Sequence, residues 1–230
     1  MKALLLAAGF GTRLRPLTDH IPKCLVPIHG KPLLGYWFEL LLNNGIERIL
    51  VNTHYLPDVV SQFVTDSPWH DSIDLVHEDI LLGTGGTILA NRKFFSDEPF
   101  MVAHADNLTR FDTPAFINAH RNRPQGVEIT IMTFDTDMPH TCGIVEQDTQ
   151  GIVLRFHEKS ASPPGNRANA AVYIFEPSVL DFLESLNNKE IDLSLEVLPN
   201  YLGRMQCFHN SDYHRDIGNT ESLRLAQLEF

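Results

Sequence analysis

The chain of 230 residues has little that would cross-link it or anchor it in a membrane. Its three cysteines, Cys24, Cys142 and Cys207, lie far apart and form no Cys-x-x-Cys pair, which disfavours a zinc knuckle and favours a reducing compartment. No stretch approaches the ~18 consecutive apolar residues that a membrane-spanning helix needs. We therefore expect a cytoplasmic protein with no membrane partner.

Two common phosphate-binding motifs are also incomplete. A dinucleotide fingerprint needs a third glycine after Gly9 and Gly11, but Leu14 holds that position. A P-loop needs a Gly-Lys-Ser/Thr tripeptide, and none follows the first strand. These absences disfavour a nicotinamide-dependent dehydrogenase and a P-loop kinase.

Positive charge is scarce overall but concentrated at the start of the chain. The formal net charge is -11, yet residues 1–31 contain five basic side chains and one acidic side chain. A cationic segment on an acidic protein predicts a small polyphosphate ligand and not a nucleic acid.

That segment joins an apolar strand, Ala3–Ala8, to a turn that contains Gly9 and Gly11. Glycine lets backbone N–H groups come close to a bound anion, and successive N–H groups form an anion-binding concavity. Arg13 adds a planar fork that suits phosphate oxygens, and Lys23 adds a mobile point charge. The pattern predicts a phosphate-binding loop, although a lone Gly-x-Gly is more often an ordinary strand-to-helix turn.

Strands and helices alternate in the first half of the chain, which predicts a largely parallel sheet with ligands at the carboxyl ends of its strands. After Arg121 the pattern becomes strand-rich and includes a hairpin around residues 148–151. The predicted strands are Ala3–Ala8, Ile46–Asn52, Ile73–His77, Phe100–Ala105, Val127–Phe134, Gly143–Gln147, Ile152–His157 and Ala170–Phe175, and the predicted helices are Pro32–Asn44, Pro57–Thr65, Gly86–Phe95, Pro177–Leu186 and Glu221–Leu228.

Two aspartates stand at positions that suit a metal ion. Asp106 closes the strand Phe100–Ala105, and a carboxylate at a strand end beside a phosphate loop is a natural Mg²⁺ ligand. Asp216 precedes Ile217 and Gly218 near the final helix. From spacing alone, a turn or helix-capping role for each aspartate remains open.

The opening motif resembles that of the sugar-phosphate nucleotidyltransferases, Gly-x-Gly-Thr-Arg-(Leu/Met)-x-Pro-Leu-Thr followed by Pro-Lys-Pro. Residues 9–18 match its first part and Pro22-Lys23 its second, while Cys24 replaces the last proline. The resemblance implies an α/β fold with a Rossmann-like, mostly parallel sheet flanked by helices, related to the GT-A fold, and a small antiparallel sugar-binding part. It implies a nucleotide-binding half to about residue 121 and a sugar-phosphate-binding half from about residue 122 within one domain, 1–230. Many relatives continue into a β-helical repeat domain, but we expect no C-terminal β-helix domain here because the sequence contains no hexapeptide repeats.

The resemblance also implies roles for individual residues. Arg13 and Lys23 would be catalytic, and Asp106 and Asp216 would bind Mg²⁺. The motifs around Asp106, Gly143 and Asp216 depart from the family pattern. The departures are Ala105, Cys142, His214, Asn219 and Thr220. The implied nucleotide-binding residues are Ala7, Ala8, Gly9, Gly11, Thr12, Arg13, Lys23, Gly83, Thr84 and Gly86, and the implied sugar-phosphate-binding residues are Gly143, Glu158, Lys159 and Asn169.

The implied reaction joins a nucleoside triphosphate and a sugar 1-phosphate to give a nucleotide sugar and pyrophosphate. The overall sequence pattern favours GTP as the nucleotide and mannose 1-phosphate as the acceptor. Uridylyl transfer to N-acetylmuramate 1-phosphate or another hexose 1-phosphate, guanylyl transfer to heptose 1-phosphate, and a non-catalytic nucleotide-sugar sensor are the alternatives. A homo-oligomer is left open.

Overall fold

The computed structural model describes residues 1–230 and contains thirteen strands. Their number and alternation with helices confirm the predicted α/β class. The strands are β1 Lys2–Leu6, β2 Pro27–Ile28, β3 Lys31–Pro32, β4 Arg48–Thr53, β5 Ile73–His77, β6 Phe100–His104, β7 Asn107–Arg110, β8 Ile129–Asp135, β9 Gly143–Gln147, β10 Val153–Glu158, β11 Arg167–Phe175, β12 Met205–His209 and β13 Tyr213–Asp216.

Seven α-helices accompany the strands, and short 3-10 turns follow β1. No helix has the length and apolar character needed to cross a membrane. The helices are α1 Leu33–Leu42, α2 Pro57–Thr65, α3 Gly83–Ala90, α4 Arg92–Phe95, α5 Thr113–Arg121, α6 Ser178–Ser185 and α7 Thr220–Glu229.

Most predicted elements are present with small shifts at their ends, but three differences affect the site. The predicted helix Gly86–Phe95 is two helices, and the first begins already at Gly83, so residues 83–86 form its first turn and not a loop before it. The short strands β7 and β13 and the strand β12 were not predicted. Helix α5 was also missed, because its apolar residues are few.

The chain divides into two compact units. The first comprises residues 1–81, 103–113 and 212–230. In it β1, β4 and β5 form parallel pairs, with Leu4 opposite Leu50 and Val51 opposite Leu75. The strands β7 and β13 form a separate antiparallel ribbon. Parallel pairing explains the nearly continuous apolar sequence of β1, which is buried on both faces.

The second unit comprises residues 82–102 and 114–211. Its strands are mostly antiparallel: β8 pairs with β11, and β9 pairs with β10 and β11. One parallel pair, β12 with β8, completes it. The predicted hairpin is present as β9 and β10, with Gly151 in the turn. The functional division near residue 121 remains a prediction.

A buried chain of hydrogen bonds links three elements of the second unit around His120, whose side chain is 1% exposed. The amide of Gln206 donates to Thr130 Oγ1, and Thr130 Oγ1 lies 2.8 Å from Nδ1 of His120. The other ring nitrogen, Nε2, is 3.0 Å from Glu176, which also pairs with Arg123. One proton order satisfies every group: Thr130 donates to Nδ1, and the neutral ring donates from Nε2 to Glu176. Burial, reinforced by the charge of Arg123, lowers the pKa of His120 from 6.5 to about 4.

This lowered pKa predicts a pH-dependent loss of stability. Between pH 6.5 and about 4, His120 binds a proton in the unfolded chain but not in the folded protein. We expect the free energy of unfolding to keep its full value above pH 6.5 and to fall by about 3 kcal/mol as the pH drops from 6.5 to about 4. Urea titrations from pH 4 to pH 8 measure it. His120→Gln should flatten this part of the profile, and an unchanged slope in that variant would contradict the assignment.

Candidate active site

The first part of the candidate site is the turn after β1. Ala7 and Ala8 are nearly buried, while Gly9, Thr12 and Arg13 are exposed. Gly11 has a left-handed backbone with φ of 64°, a conformation that glycine adopts without steric cost. The backbone N–H of Ala7 donates to Oδ1 of Asn52 at the end of β4, over 2.7 Å. The turn is therefore fixed at Ala7, where it leaves β1, and exposed at Gly9, Thr12 and Arg13, as an anion-binding loop requires.

Lys23 lies between two carboxylates that come from distant parts of the chain. Its Nζ is 2.5 Å from Oδ2 of Asp106 and 3.1 Å from Oδ1 of Asp216. The Lys23 side chain is 9% exposed, against 31% for Asp106 and 55% for Asp216. Two acidic groups thus converge on one point, with one buried cation between them.

The charges in this cluster stabilise one another. Burial opposes the charge of Lys23, but the two carboxylates outweigh it and raise the pKa of the ammonium. Burial likewise opposes ionisation of Asp106, but Lys23 and, next, His104 outweigh it and lower the pKa of that carboxyl. The neighbouring thiol of Cys24 is fully buried, and burial together with Asp106 raises its pKa to about 12. Cys24 is therefore a protonated packing group and not a nucleophile.

One apolar cluster supports all of these charged residues. It includes Leu14 next to Arg13, Val26 after Lys23, Leu108 after Asp106 and Ile217 next to Asp216. Each of these four apolar side chains is at most 1% exposed. Because interiors are packed to near-crystalline density, the cluster fixes the backbone from which every charged side chain projects.

The ribbon of β7 and β13 brings the two aspartates together. Asp216 stands opposite Asn107 in the register, directly after Asp106 in the chain. The N–H of Ile217 donates to the carbonyl of Asp106 over 3.2 Å, and the indole of Trp37 donates to the carbonyl of Asn107 over 2.9 Å. The ribbon is therefore anchored at the end where the carboxylates lie.

The two aspartates fit a divalent cation. They already share one cation, the Lys23 ammonium, and carboxylate oxygens are the ligands that Mg²⁺ prefers. No group of three or more His, Cys, Asp or Glu side chains is arranged to hold a metal. Magnesium is commonly bound by one or two carboxylates together with substrate phosphates and water, so two are sufficient.

The glycines at residues 83–86 have a packing role that the sequence did not reveal. A Cβ at Gly86 would lie 2.5 Å from the carbonyl oxygen of Lys189, and one at Gly83 would lie 2.5 Å from that of Ile191. The N–H of Gly85 donates to the same Ile191 oxygen over 2.8 Å, and Oγ1 of Thr84 accepts from Leu193 over 2.8 Å. The absence of side chains here lets α3 approach the segment 189–193, whatever else the turn binds.

Three of the four predicted sugar-phosphate residues lie on adjacent strands of the second unit, and Lys159 directly follows one of these strands. Gly143 on β9 stands opposite Glu158 on β10, and a Cβ at Gly143 would be 2.8 Å from Oε2 of that glutamate. Asn169 lies on β11, where a register shift follows it, and its amide donates to the Tyr173 hydroxyl over 2.7 Å. Lys159 is 69% exposed, and its Nζ is 3.4 Å from Glu158. A Cβ at Gly143 would also lie 2.6 Å from Phe156, so the absence of a side chain at Gly143 leaves room for the side chains of Phe156 and Glu158.

Sequence reasoning missed a polar pair at the carboxyl ends of β4 and β5. Asn52 is 3% exposed and Glu78 is 6% exposed, and the Asn52 amide donates to Glu78 over 3.0 Å. Since Asn52 also accepts from the backbone N–H of Ala7, the pair is connected to the turn after β1. The sequence signal was weak, because Asn52 lies within the buried strand β4, whereas Glu78 follows β5, which is buried only at Ile73. Both residues nevertheless lie at the carboxyl ends of parallel strands, where ligands bind in such sheets.

The structure thus groups the predicted residues in two sets. Within the first unit it brings Lys23, Asp106 and Asp216 into contact and places Arg13 beside them, since a Cβ at Gly218 would meet both Arg13 Nη2 and Asp216 Oδ2. Within the second unit it brings Gly143, Glu158 and Asn169 onto adjacent strands. Gly83, Thr84 and Gly86 also belong to the second unit, in the first turn of α3.

Comparison with known proteins adds several relatives. The chain is 32% identical to a mannose-1-phosphate guanylyltransferase catalytic subunit beta from Dictyostelium discoideum over 97% of its length, and 32% identical to a mannose-1-phosphate guanylyltransferase from Mycobacterium tuberculosis over 96%. It is also 32% identical to a UTP–glucose-1-phosphate uridylyltransferase from Synechocystis over 86%. It covers 62%, 62% and 54% of these three proteins, so it spans little more than half the length of such relatives.

Solved structures agree in fold. HddC from Yersinia pseudotuberculosis, complexed with GMP-PN, matches with a TM-score of 0.83 at 28% identity, covering 100% of this chain and 99% of the other. A Bacillus anthracis structure at 22% identity has a TM-score of 0.88, which shows the fold alone. The model of the family described as Nucleotidyl transferase matches residues 2–230. Because this match covers nearly the whole chain, the protein belongs to the nucleotidyl transferase family.

Proposed function

We propose that the chain transfers a nucleotidyl group from a nucleoside triphosphate to a sugar 1-phosphate and releases pyrophosphate. The observation that carries this proposal is the cluster in which Lys23 contacts both Asp106 and Asp216 beside the phosphate loop. The named relatives that act on mannose 1-phosphate or glucose 1-phosphate support it. Mg²⁺ is the cation that two carboxylates and substrate phosphates suit best.

In this proposal an oxygen of the sugar phosphate attacks the α-phosphorus in line, and the bond to pyrophosphate breaks. The attacking group is already an anion, so the chain need not supply a strong base. Backbone N–H groups of residues 9–12 and the guanidinium of Arg13 bind the triphosphate and stabilise the departing pyrophosphate. Lys23 donates to a phosphate oxygen as negative charge builds up there. Catalysis is then positioning plus charge stabilisation.

The cation would be held by Asp106 and Asp216 and, when bound, would neutralise charge on the phosphates. The carboxylates must be ionised for this role, and the lowered pKa of Asp106 keeps that side chain anionic at neutral pH. The buried cluster of Leu14, Leu108 and Ile217 keeps the loop and both aspartates in register without a ligand. The backbone then needs little reorganisation when substrates bind, and the main movement is that of the Lys23 ammonium from the two carboxylates to a phosphate oxygen.

In the second unit, Lys159 would bind the phosphate of the acceptor, and Glu158 and Asn169 would hold sugar hydroxyls. The exposed ammonium of Lys159 is free to leave its 3.4 Å contact with Glu158, a contact that is worth little in solvent. Asn169 is oriented by its hydrogen bond to the hydroxyl of the buried Tyr173. Burial raises the pKa of that hydroxyl and so keeps it protonated. An oriented amide suits selection among sugar epimers, because an incorrect hydroxyl leaves it unpaired.

For the base we propose guanine, with mannose 1-phosphate as the acceptor. Two guanylyltransferase relatives and the GMP-PN complex of HddC support it. Glu78 adds a chemical argument, because a carboxylate can accept from both the ring N–H and the amino group of guanine, whereas uracil offers one N–H. The Synechocystis relative favours a uridylyl alternative.

The test is a pyrophosphate-release screen of GTP, UTP, CTP, ATP and dTTP against mannose, glucose, heptose and N-acetylmuramate 1-phosphates. We expect the highest kcat/KM with GTP and mannose 1-phosphate, and we expect Glu78→Gln to reduce the preference for GTP over UTP. A tenfold preference for UTP would replace the guanylyl assignment with the uridylyl one. No release with any pair, from protein that binds nucleotide, would favour a sensor and overturn the transferase proposal.

A further inference from the structure

The side chain of Gln227, on the C-terminal helix α7, joins two parts of the chain that are distant in sequence. Its Nε2 donates to the backbone carbonyl of Pro27 over 2.9 Å, and its Oε1 accepts from the backbone N–H of His29 over 2.9 Å. The two partners lie 200 and 198 residues away. The side-chain amide of Gln227 therefore donates one hydrogen bond to the β2–β3 hairpin and accepts another from it.

Each end of this link leads directly to the cation site. On one side, the hairpin follows the 3-10 turn Lys23–Leu25. On the other, α7 begins at Thr220, four residues after Asp216, and Asn219 caps it through a reciprocal bond with Ser222. The bond from the Ile217 N–H to the Asp106 carbonyl anchors Asp216 to the ribbon, and a movement of α7 along the hairpin would act on that anchor through the three residues between Asp216 and the helix.

Apolar packing opposes such a movement, and Gln227 adds directional bonds to it. Ile28 of the hairpin and Ala226 of the helix belong to the same buried cluster, which holds the two elements together. Hydrophobic contact is non-directional, whereas two hydrogen bonds with defined angles specify a single register. Gln227 is the residue that supplies both bonds from helix to hairpin.

We propose that Gln227 is a positioning residue that sets the register of α7 and so places Asp216 for a divalent cation. It touches neither the cation nor a substrate and acts through the helix. The proposal rests on the cation role given to Asp106 and Asp216 in the proposed function. It assigns to the final helix a part in the chemistry of a site that is otherwise built from loops and strand ends.

Mn²⁺ binding without nucleotide tests the proposal, measured by calorimetry on the full chain. Gln227→Met keeps the length and loses both hydrogen bonds, and it should weaken Mn²⁺ binding about three- to tenfold, as expected for losing one or two net hydrogen bonds. Leu228→Met is the matched control, because Leu228 is the next residue and is 71% exposed, and it should bind like the wild type. Should Gln227→Met not fold, Gln227→Glu, which keeps the acceptor and loses the donor, is judged by the same criterion.

Thermal unfolding separates positioning from a purely structural role. A lower Tm with unchanged Mn²⁺ affinity of the folded protein would overturn the proposal. The proposed function is judged separately, by pyrophosphate release from the wild type and by loss of Mn²⁺ binding in Asp106→Asn. A protein that binds Mn²⁺ through Asp106 but transfers no nucleotide would refute the transferase assignment and leave the test of Gln227 intact.

Discussion

Asp106→Asn and Asp216→Asn should each lower kcat for pyrophosphate release by about a hundredfold or more, which corresponds to ~3 kcal/mol of lost transition-state stabilisation. Asparagine keeps the shape of each side chain but removes the negative charge that holds a cation. Both carboxylates contact the same Lys23 ammonium, at 2.5 and 3.1 Å, so they act at one point. The double variant should therefore be little slower than either single variant.

Asp112→Asn is the control for this cycle, since Asp112 is an exposed aspartate a few residues along the same segment. It should retain wild-type turnover. The measurement is kcat at saturating substrates over a range of Mg²⁺ concentrations. If the two losses multiply while the Mg²⁺ dependence stays unchanged, the carboxylates do not share an ion.

Gly218→Ala should remove most activity while the protein stays folded. The new Cβ would lie 2.6 Å from Oδ2 of Asp216 and 3.0 Å from Nη2 of Arg13. Both atoms are at the ends of flexible side chains, so the clash is relieved by moving these side chains and not the backbone. A single methyl group thus displaces a cation ligand and a phosphate-binding group together, and we expect a loss of at least about a hundredfold in kcat.

Gly165→Ala is the companion substitution, because a Cβ at Gly165 meets no atom within 4 Å and its φ is not positive. Circular dichroism and Tm establish that both variants are folded, and Tm should change by no more than a few degrees. Near-normal kcat in a folded Gly218→Ala protein would show that the Asp216 carboxylate can be moved without consequence and would remove it from the site.

The elements that the sequence predicted well are those with a strong local signal. Buried strands such as β1, β4 and β6 are continuous apolar runs, and α1 has apolar residues at helical spacing. The ribbon of β7 and β13 has no such signal, because each strand is four residues long and its partner lies more than a hundred residues away. Strand pairing of this kind depends on tertiary context and not on local propensity.

The positions of the site residues were predictable in part. Local motifs predicted a phosphate-binding loop after β1 and a cation ligand at Asp106, and these roles remain predictions. The contact of Lys23 with both aspartates was not predictable, since it depends on how three distant segments pack. The packing role of the glycines of α3 was not predictable either. These glycines lie against the backbone at Lys189 and Ile191, about a hundred residues later in the chain.

The discontinuity of the first unit has a consequence for biosynthesis. Its cluster of Lys23, Asp106 and Asp216 joins three distant segments, and the longest of these connections closes a loop of 193 residues. During translation the phosphate loop and Asp106 leave the ribosome long before Asp216 does. Contacts of such long range slow folding, because the chain entropy must be lost before the contacts can form. The nascent protein is therefore unable to assemble the complete centre for most of its synthesis, and its first unit is finished only when β13 and α7 have been added.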